Sequence, residues 1–556
     1  MPTGACLRAS VAAAIVLAVV AALFAQDRPG APRVLPAGPA LDEIRGDDIA
    51  AHIKFLSDDL LEGRAPSTRG GRLAASYLAT QLATLGYGPA GDNGTYFQDV
   101  AILESVVSPS FTLTAGKGTP FRYRQDVVAF TGRQESRVRV DGELVFVGHG
   151  IVAPEYRWND YAGIDMKGKV ALIMVNDPPA TADEPQLFGG RAMTYYGRWT
   201  YKYEEAARQG AVGAVLIHTP ESATYPWQVV QSSWTGTLYS LPPSAGEPTL
   251  ALKAWVTNDA ATEIVRRAGK DLDTLRAAAL RRGAAPQPLG ISVSATIDQT
   301  VQQRISQNVI GVLPGTHPQE GIIFSAHYDH LGMAAPKPGE PPDADRIYNG
   351  AIDNASGDAG TLEIAQAFAR ARTRPRRSVY VMFPTAEESG LLGSAWFAAH
   401  PALPASAWAA NINIDGLNFS GPTRDIVLLG AERSSIGTVA SELTAHHQRV
   451  VGADPEPERG YFFRSDHFSL AKVGIPAVSI GEPVDFIGKD SGFARRVHDE
   501  YNEKRYHQPS DEFQQDWNYA GAVQDMRLLS ELGWRLANDP AMAAYNPNEQ
   551  FARPRQ

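Results

Sequence analysis

Apolar residues recur at helical spacing near the start of the chain. Between Leu41 and Leu85, the segments IAAHIKFL and GGRLAASYLATQLATLGYG place them three or four positions apart, and Gly86 and Gly88 follow. This spacing puts apolar side chains on one face of a helix, and glycine tolerates the backbone that ends one. The pattern predicts two helices before Gly86.

The pattern changes at about residue 100 and again at residue 308. From Val100 to Thr300, short β-branched runs such as KVALIMVN and GAVGAVLIH are separated by Gly, Pro, Asn and Asp, which is typical of strands joined by turns. From Asn308 onward, strands such as GIIFSA and SVYVMF alternate with helical patterns such as TLEIAQAFARA. This alternation favours an α/β fold with a largely parallel sheet. We therefore expect an α/β body and a separate strand-rich module.

Composition and charge narrow the class of protein. The chain has 556 residues, 44% of them hydrophobic, and a formal net charge of -10. Such a length suggests several domains with sizeable cores. Nucleic acids and anionic membrane surfaces favour a basic protein face, so we expect no nucleic acid and no stable membrane partner. The oligomeric state is not indicated by the sequence.

The first 25 residues are typical of an export signal. Arg8 precedes an uncharged apolar stretch from Val11 to Ala25, which is shorter than the roughly 20 residues that span a bilayer. We predict a signal peptide over residues 1–25 and a secreted or periplasmic protein, with a membrane anchor as the alternative. The single cysteine, Cys6, precedes this stretch, so the mature chain would have no thiol for disulfides, metals or catalysis.

Residues of metal-ligand type follow three predicted strands, and two more lie on loops. The candidates are His327 after GIIFSA, Glu387 and Glu388 after SVYVMF, Asp415 after NINI, and Asp353 and His507 in GAIDNASG and YHQPSDE. Functional side chains of open α/β sheets gather where strands end at the carboxyl edge. Each residue alone is compatible with a helix cap, a turn or a solvated pair. Together, in one region of alternating strands and helices, they predict a metal site.

The donor types suggest which metal and which chemistry. Two imidazoles and three carboxylates, with no thiolate, suit a pair of zinc ions or similar cations that share one carboxylate, for which Asp353 is the natural bridge. A ligating histidine needs an acceptor for its other nitrogen, and Asp329, two residues after His327, can supply it. Of the adjacent glutamates, one can bind metal while the other faces the bound water, as metal-assisted hydrolysis requires.

Six motifs occur in a fixed order between about Asn308 and Asp539: HYDHLG, IYNGAIDNASG, TAEESGLLGS, NIDGLN, RSDHF and YHQPSDE. This ordered series resembles the di-zinc aminopeptidases of metallopeptidase family twenty-eight. The resemblance implies a three-layer α/β/α zinc-exopeptidase-like catalytic domain that holds two zinc ions. It also implies that the peptide bond between Asp353 and Asn354 is cis.

The resemblance assigns roles residue by residue. One zinc ion would be held by His327 and Asp415, and the other by Glu388 and His507. The carboxylate of Asp353 would bridge the two ions. Glu387 would be the general base. Relatives often carry a tyrosine directly before the Ser-Asp-His triplet, whereas here three residues separate Tyr461 from it. Tyr461 is therefore not assigned a role, and we expect Asp466 and His467 to brace their loop.

Two further segments, VGHGIVAPEYRWNDYAGIDMKGKVALI and YEEAARQGAVGAVLIH, resemble a protease-associated domain, which is a β-rich insert. The implied domains are an N-terminal part of the catalytic domain (41–138), the insert (139–265), the main catalytic part (266–539) and a tail (540–556). We expect the tail to be loosely ordered because it is rich in Pro, Asn and Gln. A spacer and a substrate gate remain equally open as functions of the insert.

The implied function is hydrolysis of N-terminal residues from peptides with a free N-terminus. A carboxypeptidase or dipeptidase on the same fold would need a cation for the free carboxylate, for which Arg464 and Arg495 are candidates. A single-zinc glutaminyl cyclase and a non-catalytic receptor-like protein are further alternatives. The complete set of five ligands together with Glu387 favours the hydrolase.

Overall fold

The computed structural model describes residues 38–244, 246–336, 339–547 and 549–552. The predicted signal peptide, residues 1–25, lies outside the described residues. None of the helices in these ranges has the length and apolar character that crossing a bilayer requires.

The described residues form short and long strands, most of which join one large mixed sheet. The strands are β1 (Gly88–Pro89), β2 (Phe97–Val107), β3 (Thr112–Ala115), β4 (Val127–Phe130), β5 (Arg137–Phe146), β6 (Val152–Ala153), β7 (Trp158–Asn159), β8 (Val170–Met174), β9 (Gly213–His218), β10 (Thr237–Ser240), β11 (Leu252–Thr257), β12 (Gln287–Leu313), β13 (His317–Ser325), β14 (Gly332–Met333), β15 (Ile347–Tyr348), β16 (Arg377–Phe383), β17 (Trp408–Asn413), β18 (Asp425–Leu429), β19 (Val450–Gly452) and β20 (Ala477–Gly481).

Helices separate many of these strands. The α-helices are α1 (Gly46–Leu56), α2 (Arg69–Thr84), α3 (Trp199–Arg208), α4 (Pro220–Ala223), α5 (Trp227–Ser233), α6 (Asn258–Arg267), α7 (Leu272–Ala279), α8 (Gly357–Ala369), α9 (Leu392–Ala399), α10 (Ile436–His446), α11 (His467–Lys472), α12 (Phe493–Lys504) and α13 (Ala520–Asn538).

The C-terminal half of the sheet has the order β19-β18-β20-β17-β13-β16-β12. Its centre is parallel, because β13 pairs in parallel with β16 and β17, and β17 pairs in parallel with β20. Ile322 and Phe324 of β13 belong to one hydrophobic cluster, and Ile323 belongs to another on the opposite face. Both faces of the sheet are therefore covered, as buried parallel strands require. The predicted α/β class is confirmed.

Strand β12 connects this body to a second group of strands. Its C-terminal part pairs with β16 and β2, and its N-terminal part pairs antiparallel with β5 and β3. Beyond β5 the order is β8-β9-β11-β4, and the strand faces bury two further hydrophobic clusters. The expected strands between residues 100 and 300 are present, accompanied by the short helices α3 to α7. The boundaries 139–265 of the protease-associated insert stay a prediction.

Both ends of the described chain are packed. The two predicted N-terminal helices are confirmed as α1 and α2. Helix α2 ends at Gly86, which has a φ of +85°, and the backbone N–H of Tyr87 donates to the Leu82 carbonyl at 3.0 Å. The expectation of a loosely ordered tail is wrong for its described residues. Phe551 is only 5% exposed and belongs to the aromatic cluster around Phe468, so one large apolar side chain outweighs the polar composition around it.

Candidate metal centre

The candidate site forms where three neighbouring parallel strands end. Strand β13 leads into His327, β16 leads into Glu387 and Glu388, and β17 leads into Asp415. Because β13 lies between β16 and β17, their carboxyl ends meet at one edge of the sheet. The loop before α8 supplies Asp353, and the segment between α12 and α13 supplies His507.

The five predicted ligands converge around Asp353. Nε2 of His327 lies 3.3 Å from Oδ1 of Asp353 and 3.3 Å from Oδ1 of Asp415. Nε2 of His507 lies 3.3 Å from Oδ2 of Asp353 and 3.0 Å from Oε2 of Glu388. The two oxygens of Asp353 therefore face two different imidazoles, and each imidazole faces one further carboxylate.

His330 and Glu387 lie at the edges of this arrangement. Nδ1 of His330 is 2.6 Å from Oε1 of Glu388, and Oε2 of Glu387 is 4.0 Å from Nε2 of His327. Two groups place their donor atoms close enough for one cation each: His327, Glu387 and Asp415, and His330, Asp353 and Glu388. Glu387 and His330 are thus near enough to bind, so their roles as base and supporting residue stay predictions.

The Asp353 loop is tied to two other segments. Asp511 accepts hydrogen bonds from the backbone N–H groups of Ile352 and Asp353, each at 3.1 Å. Oδ1 of Asn354 accepts from the N–H groups of Gly357 and Gly416 at 3.0 and 2.9 Å. The bond between Asp353 and Asn354 is cis, as expected. These contacts connect the loop of the central carboxylate to the segment that carries Asp415.

Asp329 supports the site through atoms other than those predicted. Its backbone carbonyl, 3.1 Å from Nδ1, accepts from His327, whereas its carboxylate Oδ1 lies 3.9 Å from that nitrogen. The carboxylate instead accepts the backbone N–H of Glu387 at 3.0 Å. Asp329 therefore positions both His327 and Glu387. Sequence spacing identified the residue but not which of its oxygens contacts the imidazole.

Electrostatics at the centre reflect an excess of carboxylates. Burial opposes charge on His327, yet the carboxylates of Glu387 and Asp415 raise its pKa well above the usual range. Burial likewise opposes charge on His507, but Glu388 and Asp353 raise the pKa of that imidazole to about 10. The surrounding carboxylates therefore favour positive charge at both imidazoles. The donor set therefore suits cations bound between these side chains.

The predicted ligands differ in how much of each side chain is exposed. The side chains of His327 and Glu388 are only 2% and 7% exposed, whereas those of His507 and Asp415 are 34% and 26% exposed. Ala386 and His507 have left-handed backbones, with φ of +56° at both residues. Such a conformation is unusual for non-glycine residues and is often found at functional sites.

Arg64 is a buried residue of the site that sequence reasoning did not single out. Its Nε donates to the Tyr328 carbonyl at 2.9 Å, and Nη2 donates to the Gly350 carbonyl at 3.0 Å. Its Nη1 donates to the carbonyls of Leu56 and Asn349. Arg64 thus fixes the residue after His327 and the start of the Asp353 loop. The only sequence signal was the EGR motif, which ends 264 positions before Tyr328.

The remaining candidates occupy distinct places. The hydroxyl of Tyr461 lies 3.4 Å from Oε2 of Glu456, which agrees with leaving Tyr461 without a catalytic role. Asp466 and His467 are fully buried at the start of α11. Arg495 forms ion pairs with Glu456 and Asp499 at 2.9 and 2.8 Å.

Imidazoles and carboxylates that converge at the carboxyl edge of a parallel sheet define a candidate metal-binding α/β protein. Residues 308–530 match the model of the family described as Peptidase family M28. The match covers less than half of the chain, and it shows that residues 308–530 are similar to this peptidase family.

Curated relatives match over shorter stretches. Leupeptin-inactivating enzyme 1 of Streptomyces exfoliatus is 25% identical over 180 residues, which cover 32% of this chain and 36% of that protein. Leucine aminopeptidase 1 of Trichophyton rubrum is 25% identical over 193 residues, covering 32% and 48%. Aminopeptidase NAALADL1 of Mus musculus is 30% identical over 115 residues, covering 20% and 13%. The chain thus spans less than half the length of each.

Among solved structures, the aminopeptidase from Aneurinibacillus sp. strain AM-1 is 18% identical, with a TM-score of 0.49, and the match covers 92% of this chain and 98% of that one. A zinc aminopeptidase from Bacillus subtilis is 16% identical, with a TM-score of 0.45 and coverage of 92% and 97%.

Proposed function

We propose that this chain is a zinc-dependent aminopeptidase that removes N-terminal residues from peptides with a free amino terminus. The observation that carries the proposal is the geometry of Asp353, whose two oxygens each lie 3.3 Å from a different imidazole. Each of those imidazoles also lies within 3.3 Å of one further carboxylate, Asp415 or Glu388. Two cations that share one carboxylate fit this arrangement.

The residues present fit zinc. All donors are nitrogen or carboxylate oxygen, and the only cysteine in the sequence, Cys6, is not among the matched residues 308–530. Zinc readily takes imidazole and carboxylate ligands. His327, Asp353 and Asp415 would hold one ion, and Asp353, Glu388 and His507 would hold the other. Bound zinc would lower the pKa of a coordinated water and polarise the scissile carbonyl.

Glu387 is the proposed general base. Burial raises the pKa of Glu387 well above its usual range; the charge of His327 opposes this shift, and those of Asp415 and Glu388 add to it. A raised pKa makes the carboxylate a stronger base. The backbone N–H of Glu387 donates to Oδ1 of Asp329, and this contact fixes the position of the backbone that carries the carboxylate. Glu387 takes a proton from the attacking water and gives it to the leaving amine. The peptide amino group is expected to lie beside the carboxylates of the site.

The proposal extends to location and partners. With the predicted signal peptide, the enzyme would act as a secreted or periplasmic protein on peptides. Two equivalents of zinc should remain after dialysis, as measured by metal analysis. Peptides with a free amino terminus should be cleaved and their N-acetylated versions spared. Equal cleavage of both forms would contradict the aminopeptidase assignment, and a requirement for a free carboxyl end would select a carboxypeptidase.

The adjacent glutamates provide a matched pair of variants. Glu387→Gln should retain zinc and lose about 10²- to 10⁴-fold in kcat, because a positioned proton-transfer group contributes a factor of that size. Glu388→Gln should weaken zinc binding, and added zinc should partly restore its activity. Zinc content and activity are measured for both variants across a zinc titration. Loss of zinc from Glu387→Gln but not from Glu388→Gln would reverse the roles, and no effect of either change would refute the site.

A further inference from the structure

Two arginines lie near each other at the boundary between the strand-rich module and the peptidase domain, where the ring of Tyr195 contacts the ring of Phe463 with 5.9 Å between centroids. Arg198 directly precedes α3, and Arg464 lies in the loop before α11. The Nε atoms of both are buried without a hydrogen-bond partner among the described residues. Arg464 donates from Nη2 to Thr224 Oγ1 of the module at 2.8 Å. The pair is therefore assembled from both parts of the chain.

No described carboxylate lies within 4.0 Å of either guanidinium. Burial, and after it the charge of Arg464, lowers the pKa of Arg198 to about 10, while the other groups acting on Arg198 are tyrosines. By contrast, Arg495 and Arg433 are paired with carboxylates at 2.8 to 2.9 Å. Two neighbouring cations without an anion repel each other, and a bound anion relieves that repulsion.

The pair is also near the candidate metal centre. The ring of Tyr506 stacks on His507 with 3.9 Å between centroids. Arg464 directly precedes Ser465, whose hydroxyl accepts a hydrogen bond from Nδ2 of Asn413 at 2.8 Å, and Asn413 lies two residues before the predicted ligand Asp415. We therefore expect a peptide held at the candidate metal centre to reach the arginines.

We infer that Arg198 and Arg464 form a binding site for a carboxylate group of the peptide substrate. This inference rests on the proposed peptidase function and names its substrate class. Guanidinium groups present planar N–H donors that match a carboxylate and bind it with charge-assisted hydrogen bonds. The carboxylate comes either from an acidic side chain or from the free C-terminus of a short peptide. The strand-rich module then contributes directly to substrate selection.

Three pairs of peptides distinguish the sources of the carboxylate. Leu-Ala is compared with Leu-Ala-amide for the terminal carboxylate, Leu-Glu-amide with Leu-Gln-amide for the second side chain, and Glu-Leu-amide with Gln-Leu-amide for the first. At least one charged peptide should show a kcat/KM about 10-fold or more above its neutral partner, since sites built for a polar group discriminate strongly against analogues that lack it. The pair that shows the difference identifies the source.

Variants connect that preference to the arginines. Arg464→Gln and Arg198→Gln should each remove most of the preference while leaving kcat/KM for the neutral peptides within about twofold, and Arg464→Lys should restore part of it. Arg495→Gln, at an arginine already paired with carboxylates, is the matched control and should change nothing. Zinc content and circular dichroism verify that each variant is folded and loaded.

Two results would overturn the inference. It fails alone if the neutral peptides are cleaved as fast as the charged ones, or if the preference survives in the Arg198→Gln/Arg464→Gln double variant. If the zinc-loaded protein cleaves none of the six peptides, the proposed peptidase function fails and the carboxylate site falls with it.

Discussion

The buried guanidinium of Arg64 provides the sharpest test of how the metal centre is held. Its side chain is fully buried and donates to four backbone carbonyls, of Leu56, Tyr328, Asn349 and Gly350. Arg64→Met removes all of these donors and leaves the carbonyls buried without partners. Hydrogen bonds to charged groups contribute about 1.5 to 3 kcal/mol each and are not additive. We therefore expect a loss of at least about 4 kcal/mol in the free energy of unfolding.

A conservative change separates the charge from the geometry. Arg64→Lys keeps a cation near Asp358 and Asp329, which act on Arg64 electrostatically, but a single ammonium cannot reach all four carbonyls. We expect Arg64→Lys to lower the free energy of unfolding by about 2 kcal/mol. Since Tyr328 follows His327 directly and Gly350 begins the Asp353 loop, both variants should also bind zinc about 10- to 100-fold more weakly, as is typical when residues that orient ligands are changed.

The assay combines urea unfolding of the zinc-free protein with a zinc titration of the folded protein. Arg72→Met is the control, because Arg72 lies on the exposed surface of α2 and its guanidinium donates to a single carbonyl, that of Ser67, among the described residues. It should change the free energy of unfolding by less than about 0.5 kcal/mol. An Arg64→Met variant within about 1 kcal/mol of the parent, with unchanged zinc affinity, would refute the positioning role of Arg64.

Two further changes test the packing around the site. Glu363 in α8 accepts a hydrogen bond from the backbone N–H of Arg45 at 2.9 Å, and burial raises the pKa of its carboxyl from 4.5 to about 7. The folded protein therefore loses stability as the pH rises from 4.5 to 7. Above pH 7 the loss in the free energy of unfolding amounts to about 3 kcal/mol. Glu363→Gln should raise the unfolding temperature at pH 8 but not at pH 4, and an equal shift at both values would show that the carboxyl is not the cause. Phe551→Ala should lower the free energy of unfolding by about 3 kcal/mol, as measured by urea unfolding. Leu73→Ala on the exposed face of α2 is the control. A loss no larger than that of the control would show that the tail does not anchor the aromatic cluster.

Much of the candidate site was accessible from sequence because its signals are local. Apolar runs such as GIIFSA and SVYVMF predict buried strands, and ligand-type residues directly after them fall at the sheet edge that a parallel arrangement brings together. His327, Glu388 and Asp415 were found in this way. Asp353 and His507 lie on loops, where no strand end marks them, and they were selected as residues of metal-ligand type in the same region. In the structure the other four lie around Asp353, and their roles as metal ligands stay predictions.

The sequence by itself determined the α/β class, the two N-terminal helices and the residue types of the metal centre, since periodicity and strand-end position are properties of neighbouring residues. Only the tertiary structure decided that the backbone carbonyl of Asp329 contacts His327, that Phe551 packs into an aromatic cluster, and that Arg198 lies near Arg464. The physical reason is range. Arg198 and Arg464 are far apart in the chain, and contacts of that kind depend on how the strand-rich module packs against the peptidase domain, which no local pattern encodes.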